Sequence, residues 1–553
     1  MQAGFCMKKI EQIKKGIDMI KEHGVGESLR RAKTRFPGNK LDYSAWFRQN
    51  RATAKELMME KSTYRALPDE ERKDVFFSFL LLVQDNDIES LERTIMSCAR
   101  QTYGGFNIRY SLAPEVDVKT EELIKSYCGE ALEEGGLGEY VYPIWQGDVI
   151  ELNSLYCIKE RLGGLRPEII YTDEDAIIKS YKTVYDPLFK PDYSRDYLDE
   201  YNYMGHSVVF NRDAITGSVL LSEDEIENEN RWNELVYSVA TCAKNVMHIS
   251  SILYHRLEGK LCICERTPEK GDAHGQPLVS IIIPNKDSED ILRRCVESIR
   301  SKSEYDNYEI IIVENNSEKE ETFDYYKSIE NDEKIRVIVY DGTFNFSRIC
   351  NRGAMYANGE YLLLLNNDTE LIEGKSINHM VSLMEKEGVG AVGARLLFPN
   401  DTIQHAGIVV GKKGEALHVF YGERSKKTGY MDRLAVTNNY SAVTGACMMV
   451  KKEVYDSLGG LDEKFTVAYN DVDLCFRIRE RQLRVVYCAN SIWYHHESRT
   501  RGYENTPEKA VRLEEEKNLF TKKWCHIFSA GDPFYNENFE DDIAPFKLLK
   551  FIQ

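Results

Sequence analysis

The chain carries amide and carboxylate side chains directly after an apolar run, an arrangement that can hold a divalent cation. Residues 362–365 are all leucine and precede Asn366, Asn367 and Asp368. Such a run is typical of a strand buried on both faces, so its polar end lies at the carboxyl edge of a parallel sheet, where ligands bind. A carboxylate there can hold a metal ion against a diphosphate. Taken alone, residues 362–368 also fit a core strand followed by an aspartate in an ordinary turn.

Two more apolar runs end in polar side chains. The first, at 279–283, ends before Asn285 and Asp287, and the second ends before Glu314. An amphipathic helical pattern lies between the two runs. Strands that alternate with helices at this spacing predict βαβ units and a parallel sheet. We therefore expect these side chains to meet Asp368 along one edge of that sheet.

Two predicted helix starts add further polar groups. One helix carries Arg348 and Asn351 in its first two turns, where free N–H groups and a basic side chain suit a phosphate. The other begins near residue 470 and has Asp471 and Asp473 in an acidic first turn. These two aspartates fit either a role in chemistry or simple charge capping of the helix.

A pair of histidines follows another apolar segment. His495 and His496 precede Glu497, and a histidine near a carboxylate can supply a metal ligand. The alternative is a surface pair or a pair satisfied within the core.

In this order the motifs resemble the inverting glycosyltransferases of family 2, which have the GT-A fold. The resemblance covers residues 277–503 and includes five separate motifs. It implies a divalent metal, Mn or Mg, and a nucleoside-diphosphate sugar as donor. The implied roles are nucleotide-sugar binding for Pro284, Asn285, Asp287, Glu314, Arg348, Asn351 and Asn367, metal binding for Asp368 and His495, general base for Asp471, and the acceptor side for His405, Thr444, Gly445 and Asp473. Asp473 lies two residues after Asp471, so the two side chains do not share a helix face. Orienting neighbouring groups or capping the helix is therefore the alternative role of Asp473.

The residue types suit displacement of a nucleoside diphosphate from a sugar. A divalent cation neutralises the leaving oxygens, and a carboxylate takes the proton of the attacking hydroxyl, which gives single displacement with inversion. The chain departs from the family pattern at Glu314, Asn367 and Asn470, where the family often has aspartate, aspartate or another polar residue, and glutamate. The uncharged Asn367 removes one partner for ribose or metal, and the longer Glu314 alters the fit to the base.

The sequence also repeats itself. Leu91 matches Leu292 at an offset of 201 (292 minus 91), and Gly205 matches Gly445 at an offset of 240 (445 minus 205). The difference predicts that the first copy lacks the segment that supplies Glu314, Arg348 and Asp368 in the second copy. The second offset places Arg231 or Trp232 opposite Asp471. We therefore expect a noncatalytic first copy. Asp173 and Asp175 form a superficial Asp-x-Asp, which more closely resembles a later motif in the first domain of two-domain members of this family. The alternative is an acidic loop whose charges are satisfied within the protein.

Length and composition agree with an α/β protein of two tandem GT-A-like, Rossmann-like domains with mostly parallel sheets. The 553 residues are 42% hydrophobic, enough for ordinary cores. The predicted divisions are a basic helical segment at 1–72, the degenerate copy at 73–262, the catalytic domain at 277–503 and a helical extension at 504–553. Tyr43 and Trp46 are expected to pack on the body of the protein.

Charge and cysteine usage limit the partners. The net charge of −18 argues against nucleic-acid binding, whereas residues 1–65 contain 15 Lys and Arg against 7 Asp and Glu. That basic segment suits an anionic membrane surface that holds a lipid-linked acceptor, or it is a solvated helical face. Thirteen scattered cysteines, no apolar run of membrane-spanning length and no signal-peptide core predict a reduced cytoplasmic protein, peripheral on the inner face of the membrane.

Two functions fit the sequence. The first is transfer of a hexosyl or deoxyhexosyl group to a hydroxyl of a glycan or lipid-linked glycan in cell-surface polysaccharide biosynthesis. The alternative is a noncatalytic scaffold that binds nucleotide-sugars or glycans, which Asn367 and Asn470 motivate. Donor hydrolysis or transfer by the purified protein distinguishes the two.

Overall fold

The computed structural model describes residues 40–72, 74–128, 136–215, 229–259, 275–496, 507–539 and 546. The chain divides into two compact units. Unit 1 holds the described residues from 40 to 193 and from 201 to 259, and unit 2 holds 194–200 and those from 275 to 546. Most of the basic segment predicted at the amino terminus lies outside the described residues. No helix in the described part of the chain is both long and apolar enough to cross a membrane.

Unit 1 contains one mixed sheet with helices packed on it. Its helices are α1 (Lys40–Asn50), α2 (Ala54–Ala66), α3 (Asp69–Arg72), α4 (Ile88–Ala99), α5 (Val118–Cys128), α6 (Ser154–Leu162), α8 (Arg212–Ile215) and α9 (Glu229–Cys242), while α7 (Arg195–Glu200) belongs to unit 2. Its strands are β1 (Phe77–Val83), β2 (Phe106–Leu112), β3 (Tyr140–Trp145), β4 (Val149–Ile150), β5 (Ile169–Ile177), β6 (Val184–Leu188), β7 (Val208–Asn211) and β8 (Val246–Leu257). The strand order is β2-β1-β3-β7-β5-β8-β4, and β6 pairs with β5. The first three of these strands run parallel.

Unit 2 is also built on a mixed sheet. Its strands are β9 (Val279–Asn285), β10 (Tyr308–Glu314), β11 (Ile335–Val339), β12 (Tyr361–Leu365), β13 (Thr369–Leu371), β14 (Val389–Leu397), β15 (Ile403–His405), β16 (Ile408–Val410), β17 (Ala416–His418), β18 (Asn438–Asn439), β19 (Cys447–Lys451) and β20 (Arg484–His495). Its helices are α10 (Glu289–Lys302), α11 (Glu320–Ile329), α12 (Phe346–Ala354), α13 (Ser376–Met384), α14 (Lys452–Ser457), α15 (Asn470–Glu480) and α16 (Pro507–Ala530), with a 3-10 turn at Tyr430–Asp432. The order is β11-β10-β9-β12-β19-β14-β20-β13. These elements confirm the predicted α/β class.

Periodicity explains why these segments form the core of unit 2. Strands β9, β10 and β12 are buried on both faces, as apolar runs require, and they lie inside the sheet rather than at its edges. Helix α10 buries one stripe, formed by Leu292, Cys295, Val296, Ser298 and Ile299. That spacing places apolar side chains on a single helix face, against the sheet. Burial of each large aliphatic side chain contributes on the order of 2 kcal/mol.

The two sheets have the same strand order. Strands β2-β1-β3-β7-β5-β8-β4 of unit 1 correspond one for one to β10-β9-β12-β19-β14-β20-β13 of unit 2, and β11 is an added edge strand. A local contact repeats as well: Ser78 Oγ accepts the N–H of Gly138 at 2.7 Å, and Ser280 Oγ accepts that of Gly359 at 2.8 Å. Strand order and this contact supply a position-by-position correspondence between the units.

Candidate active site

The carboxyl ends of three adjacent parallel strands form one edge of the unit 2 sheet. Asn285 ends β9 and lies opposite Glu314, the last residue of β10. Asn367, which follows β12, donates its side-chain N–H to Asn285 Oδ1 at 2.7 Å. The structure therefore brings together the polar side chains that the sequence places after three separate apolar runs.

Glu314 is buried and fully engaged with the loop that follows β10. Its carboxylate accepts the backbone N–H of Ser317 at 2.5 Å, the hydroxyl of Ser317 at 2.6 Å and the hydroxyl of Tyr326 at 2.6 Å. Burial and the adjacent Glu314 raise the pKa of Tyr326, so this tyrosine is a neutral donor. Asn285 in turn donates to Tyr326 Oη at 2.8 Å. Glu314 therefore holds the loop after β10 in place at this edge of the sheet. Tyr326 contacts both Glu314 and Asn285, and the sequence motifs did not identify it.

Asp287 lies half-buried at the same edge. Its Oδ1 accepts the backbone N–H groups of Glu318 at 2.8 Å and Lys319 at 3.0 Å. Burial acts to raise the pKa of Asp287, but these two hydrogen bonds outweigh burial and hold the pKa below its ordinary value. The side chain is therefore an anion at neutral pH.

Asp368 and His495 lie side by side. The pairing of β13 with β20, together with the hydrogen bond from His496 N–H to the Asp368 carbonyl at 2.9 Å, places His495 Nε2 3.1 Å from Asp368 Oδ1. His495 Nδ1 lies 2.8 Å from Gln404 Oε1. An amide oxygen only accepts, so this contact assigns a proton to Nδ1, while Nε2 lies 3.2 Å from the side-chain nitrogen of Asn366 as well as 3.1 Å from Asp368 Oδ1.

This pair fits a divalent cation that a substrate completes. Among the described residues, no group of three histidine, cysteine or acidic side chains could hold a metal by itself. However, Mg²⁺ and similar ions are commonly held by one or two protein carboxylates together with substrate phosphates. Asp368 Oδ1 and His495 Nε2 lie close enough together to share one cation, and Gln404 contacts Nδ1 as second partners of metal-bound histidines do.

Asp471 begins α15 and is held against a glycine. Its Oδ2 accepts the backbone N–H of Gly445 at 2.8 Å. The preceding residue, Thr444, donates its N–H to His405 Nε2 at 3.3 Å, and His405 Nδ1 lies 3.1 Å from His418 Nδ1. Burial and the nearby histidines lower the pKa of His405 well below its ordinary value, so His405 is neutral and can accept that N–H. Three predicted acceptor-side residues thus form one connected group with Asp471.

Four other predicted site residues lie in different parts of unit 2. Asp473 is fully buried and binds the side chains of Arg477, Lys523 and Trp524, so it packs α15 against α16. Asn351 binds both backbone groups of residue 461. The exposed Arg348 pairs with Glu463 at 3.0 Å. Pro284 lies within β9, next to Asn285. These side-chain contacts agree with the alternative role for Asp473, that of orienting neighbouring groups.

Unit 1 has an aspartate at the position of Asp368, which corrects the sequence alignment. Strand β4 pairs with β8 as β13 pairs with β20, with Val149 opposite His255 and Thr369 opposite His495, so Asp148 corresponds to Asp368. The segments that unit 1 lacks relative to unit 2 therefore lie on both sides of Asp148 and do not include the aspartate itself.

Asp148 differs from Asp368 in its partners. It accepts the hydroxyl of Tyr254 at 2.7 Å and the N–H of Leu257 at 2.7 Å, and it lies 3.0 Å from His206 Nδ1. The counterparts of Asn285 and Glu314 are the apolar Val83 and Leu112, which pair with each other in the same register. The polar side chains that end β9 and β10 in unit 2 are therefore absent from the ends of the corresponding strands β1 and β2 in unit 1.

Helix α1 covers the counterpart of the His495 position. His255 is buried between Asp175 and Glu151, at 2.6 and 2.9 Å, and its ring contacts Phe47 of α1 edge-on at 5.2 Å. Tyr43 of α1 donates to Asp175 at 2.5 Å. Burial acts to lower the pKa of His255, but the two carboxylates raise it to about 10. Asp175 therefore belongs to a satisfied internal ion network, and Tyr43 packs as the sequence predicts.

We expect Asp175→Asn to destabilise unit 1 by about 3 kcal/mol, because loss of one partner leaves a buried imidazolium undercompensated. For a unit of this size the melting temperature falls by roughly 6 to 12 °C. Differential scanning fluorimetry measures the shift, and Asp213→Asn makes the same chemical change at an exposed side chain. Equal melting temperatures for the two variants would show that the network contributes nothing to stability.

Comparison with known proteins identifies part of unit 2. The family model described as Glycosyl transferase family 2 matches residues 280–459. The chain is 34% identical over 444 residues to the protein y4gI of Sinorhizobium fredii, a match that covers 72% of this chain and 48% of that protein. It is 33% identical over 413 residues to the O-antigen biosynthesis protein RfbC of Myxococcus xanthus, with 67% of this chain and 31% of RfbC covered. The chain thus spans half or less of the length of these curated relatives.

A solved structure is similar at a lower level. The mannosyltransferase PcManGT of Pyrobaculum calidifontis, in complex with GDP-Man and Mn²⁺, matches with 15% identity and a TM-score of 0.35, over 47% of this chain and 70% of that one.

Proposed function

We propose that unit 2, in which residues 280–459 match the family model described as Glycosyl transferase family 2, transfers a sugar from a nucleoside diphosphate to a hydroxyl acceptor with inversion. The donor is bound at the edge formed by Asn285, Asp287 and Glu314. Asp368 and His495 are the residues that would hold a divalent metal, Mn or Mg.

One observation carries this proposal. The backbone of residues 444–446 contacts both the segment that leads to Asp368 and the predicted base. Asn366, two residues before Asp368, donates its N–H to the Ala446 carbonyl at 3.0 Å, and the N–H of the adjacent Gly445 donates to Asp471 at 2.8 Å. One short segment thus links the metal-binding motif to the base, and displacement with inversion needs both groups at one site.

The residues of this chain divide the work of the reaction. A bound divalent cation supplies charge neutralisation at the leaving oxygens. Asp368 and His495 bind that ion, with Gln404 holding the imidazole in the required tautomer. Asp471 removes the proton of the acceptor hydroxyl, while the Gly445 N–H keeps its carboxylate oriented. Neutral His405 orients Thr444 without adding a charge that would compete with the metal.

We propose that unit 1 is noncatalytic. Asp148 is occupied by protein donors, apolar residues replace the polar strand ends, and α1 covers the position of the histidine ligand. Docking of an acceptor or of another protein is the role that remains for this unit.

The acceptor is proposed to be a glycan or lipid-linked glycan in cell-surface polysaccharide biosynthesis. RfbC, a relative that the chain matches over 31% of its length, is named for O-antigen biosynthesis. The basic character of residues 1–65 supports peripheral contact with an anionic membrane, where such an acceptor lies.

A screen of nucleotide-sugars tests the function. We expect a subset of nucleoside-diphosphate sugars to raise the melting temperature in the presence of Mn²⁺ or Mg²⁺, since a ligand at 100 times its Kd adds about 2.7 kcal/mol to native-state stability. EDTA reverses the shift. Donors that bind are then assayed for hydrolysis and transfer by release of nucleoside diphosphate. Binding without release would favour the scaffold alternative, and no metal-dependent binding by any donor would contradict the proposal.

A further inference from the structure

Helix α16 lies beyond the residues that the family model matches, yet it binds the loop in front of Asp471. The buried Glu516 on α16 accepts the backbone N–H groups of three successive residues, Thr466 at 2.6 Å, Val467 at 3.1 Å and Ala468 at 2.8 Å. The Thr466 hydroxyl donates to the same carboxylate. Four donors from one short loop therefore converge on a single side chain that is 4% exposed.

The same face of α16 contacts both sides of Asp471. Before it, the ring of Phe520 stacks on Tyr469 with centroids 4.7 Å apart. Tyr469 has a φ of 63°, a left-handed conformation that costs a non-glycine residue energy and persists only where surrounding contacts enforce it. After it, Lys523 and Trp524 bind the Asp473 carboxylate at 2.6 and 2.9 Å. The residues on either side of Asp471 are thus held by one helix.

We propose that Glu516 is a positioning residue for the transfer reaction, acting through Asp471. This inference rests on the proposed function, because it takes Asp471 as the base. Glu516 fixes the path of residues 466–468, and that path sets where α15 begins and hence where the Asp471 carboxylate points.

Charge and donor count explain why glutamate suits this position. Hydrogen bonds to an ionised carboxylate are about twice as strong as neutral ones, and two carboxylate oxygens can accept all four donors of the loop. A glutamine with its oxygen in the place of Oε1 would still accept from Thr466 and Val467, but its NH₂ group would face the Ala468 N–H, which is also a donor. Glu516→Gln therefore weakens the contact, by loss of the charge and by this donor–donor clash, without changing the volume of the side chain.

The test uses the full chain and two measurements. Hydrogen–deuterium exchange of residues 466–475 is compared among the native protein, Glu516→Gln and Glu515→Gln, an exposed neighbour on the same helix. In parallel, kcat and donor KM are measured for Glu516→Gln, Asp471→Asn and the double variant. We expect Glu516→Gln to increase exchange in that segment alone and to lower kcat about 10- to 100-fold, the range for a misplaced catalytic group, with KM for the donor unchanged.

The double variant separates positioning from general destabilisation. If Glu516 acts through Asp471, Glu516→Gln should cause no further loss of kcat once Asp471 is asparagine, because residues that act as a unit are not additive. An additive loss, or exchange in 466–475 that matches the Glu515→Gln control, would overturn the inference. Undiminished activity of Asp471→Asn would instead overturn the base assignment of the proposed function, and with it the catalytic role of Glu516, while the exchange data still decide whether Glu516 clamps the loop.

Discussion

Replacement of Asp471 with asparagine is expected to lower kcat by about 10²-fold or more, the usual effect of removing a general base. The asparagine side-chain oxygen can still accept the Gly445 N–H that the aspartate accepts at 2.8 Å, while its NH₂ group replaces the oxygen that accepts the Val472 N–H, so one of the two backbone contacts is retained. Donor affinity should stay near its native value, because Asp471 acts on the acceptor hydroxyl. Transfer rates at saturating donor and acceptor, together with donor Kd from calorimetry, measure the two effects separately.

Asp324→Asn is the matched control for this experiment, because it makes the same chemical change at an exposed side chain of α11. The control should have native kcat. If Asp471→Asn retains full activity while substitution of Asp173 and Asp175 stops the chemical step, the division of labour between the two units is the reverse of the one proposed.

Replacement of Asp368 with asparagine is expected to abolish metal-dependent binding of the donor diphosphate. Removal of an outer partner of a metal ligand usually weakens metal affinity 10- to 100-fold, so loss of a ligand itself should cost about 100-fold or more. Asparagine keeps the shape of the side chain, and the backbone carbonyl of residue 368 still accepts the His496 N–H, so the pairing of β13 with β20 should persist. Titration with Mn²⁺ and a nucleoside diphosphate, followed by the thermal shift, measures the loss.

Glu370→Gln is the control for the metal assignment. This side chain lies on β13, two residues after Asp368, and contacts Lys302 and His496 rather than His495. Metal-dependent affinity should be unchanged in Glu370→Gln. A native Mn²⁺ response in Asp368→Asn would move the metal site elsewhere on the sheet edge.

Strand ends were predictable because their signal is local. An apolar run buried on both faces must end where polar residues begin, and parallel strands deliver those ends to one edge. Asn285, Glu314 and Asp368 could therefore be placed from the sequence, as could the helix that carries Asp471.

The partners of those residues could not be predicted, because they come from distant parts of the chain. Tyr326 binds Glu314 from the next helix, Gln404 binds His495 across 91 residues, and Glu516 binds a loop that precedes it by about 50 residues. Only tertiary packing brings such pairs together.

Asn367 illustrates how a local departure acquires a physical reason in the fold. From the sequence alone, the missing charge at Asn367 is interpreted as the loss of one partner for ribose or metal. In the structure its N–H group donates to Asn285 Oδ1, while the Asn285 amide donates to Tyr326 and to the Asp287 carbonyl. A carboxylate at position 367 would face an acceptor, so the amide is the group that this edge requires.

The position of Asp148 shows the limit of a single alignment offset. Ser78 and Ser280 differ by 202 positions, Asp148 and Asp368 by 220, and His255 and His495 by 240. The first copy is therefore shorter in two separate places, on either side of the aspartate. Strand pairing reveals this because register is fixed by the sheet, whereas sparse sequence matches leave the location of each deletion open.

The contacts of α16 bear on how such proteins can be divided and recombined. The loop before Asp471 obtains its hydrogen-bond acceptor from Glu516, so this loop and helix α16 form one structural unit. A chimera that joins the front of this domain to the tail of a relative must carry both the loop and the helix from the same parent. A fragment cut at the end of the last strand would keep every named motif and still lose the acceptor that orders one of them.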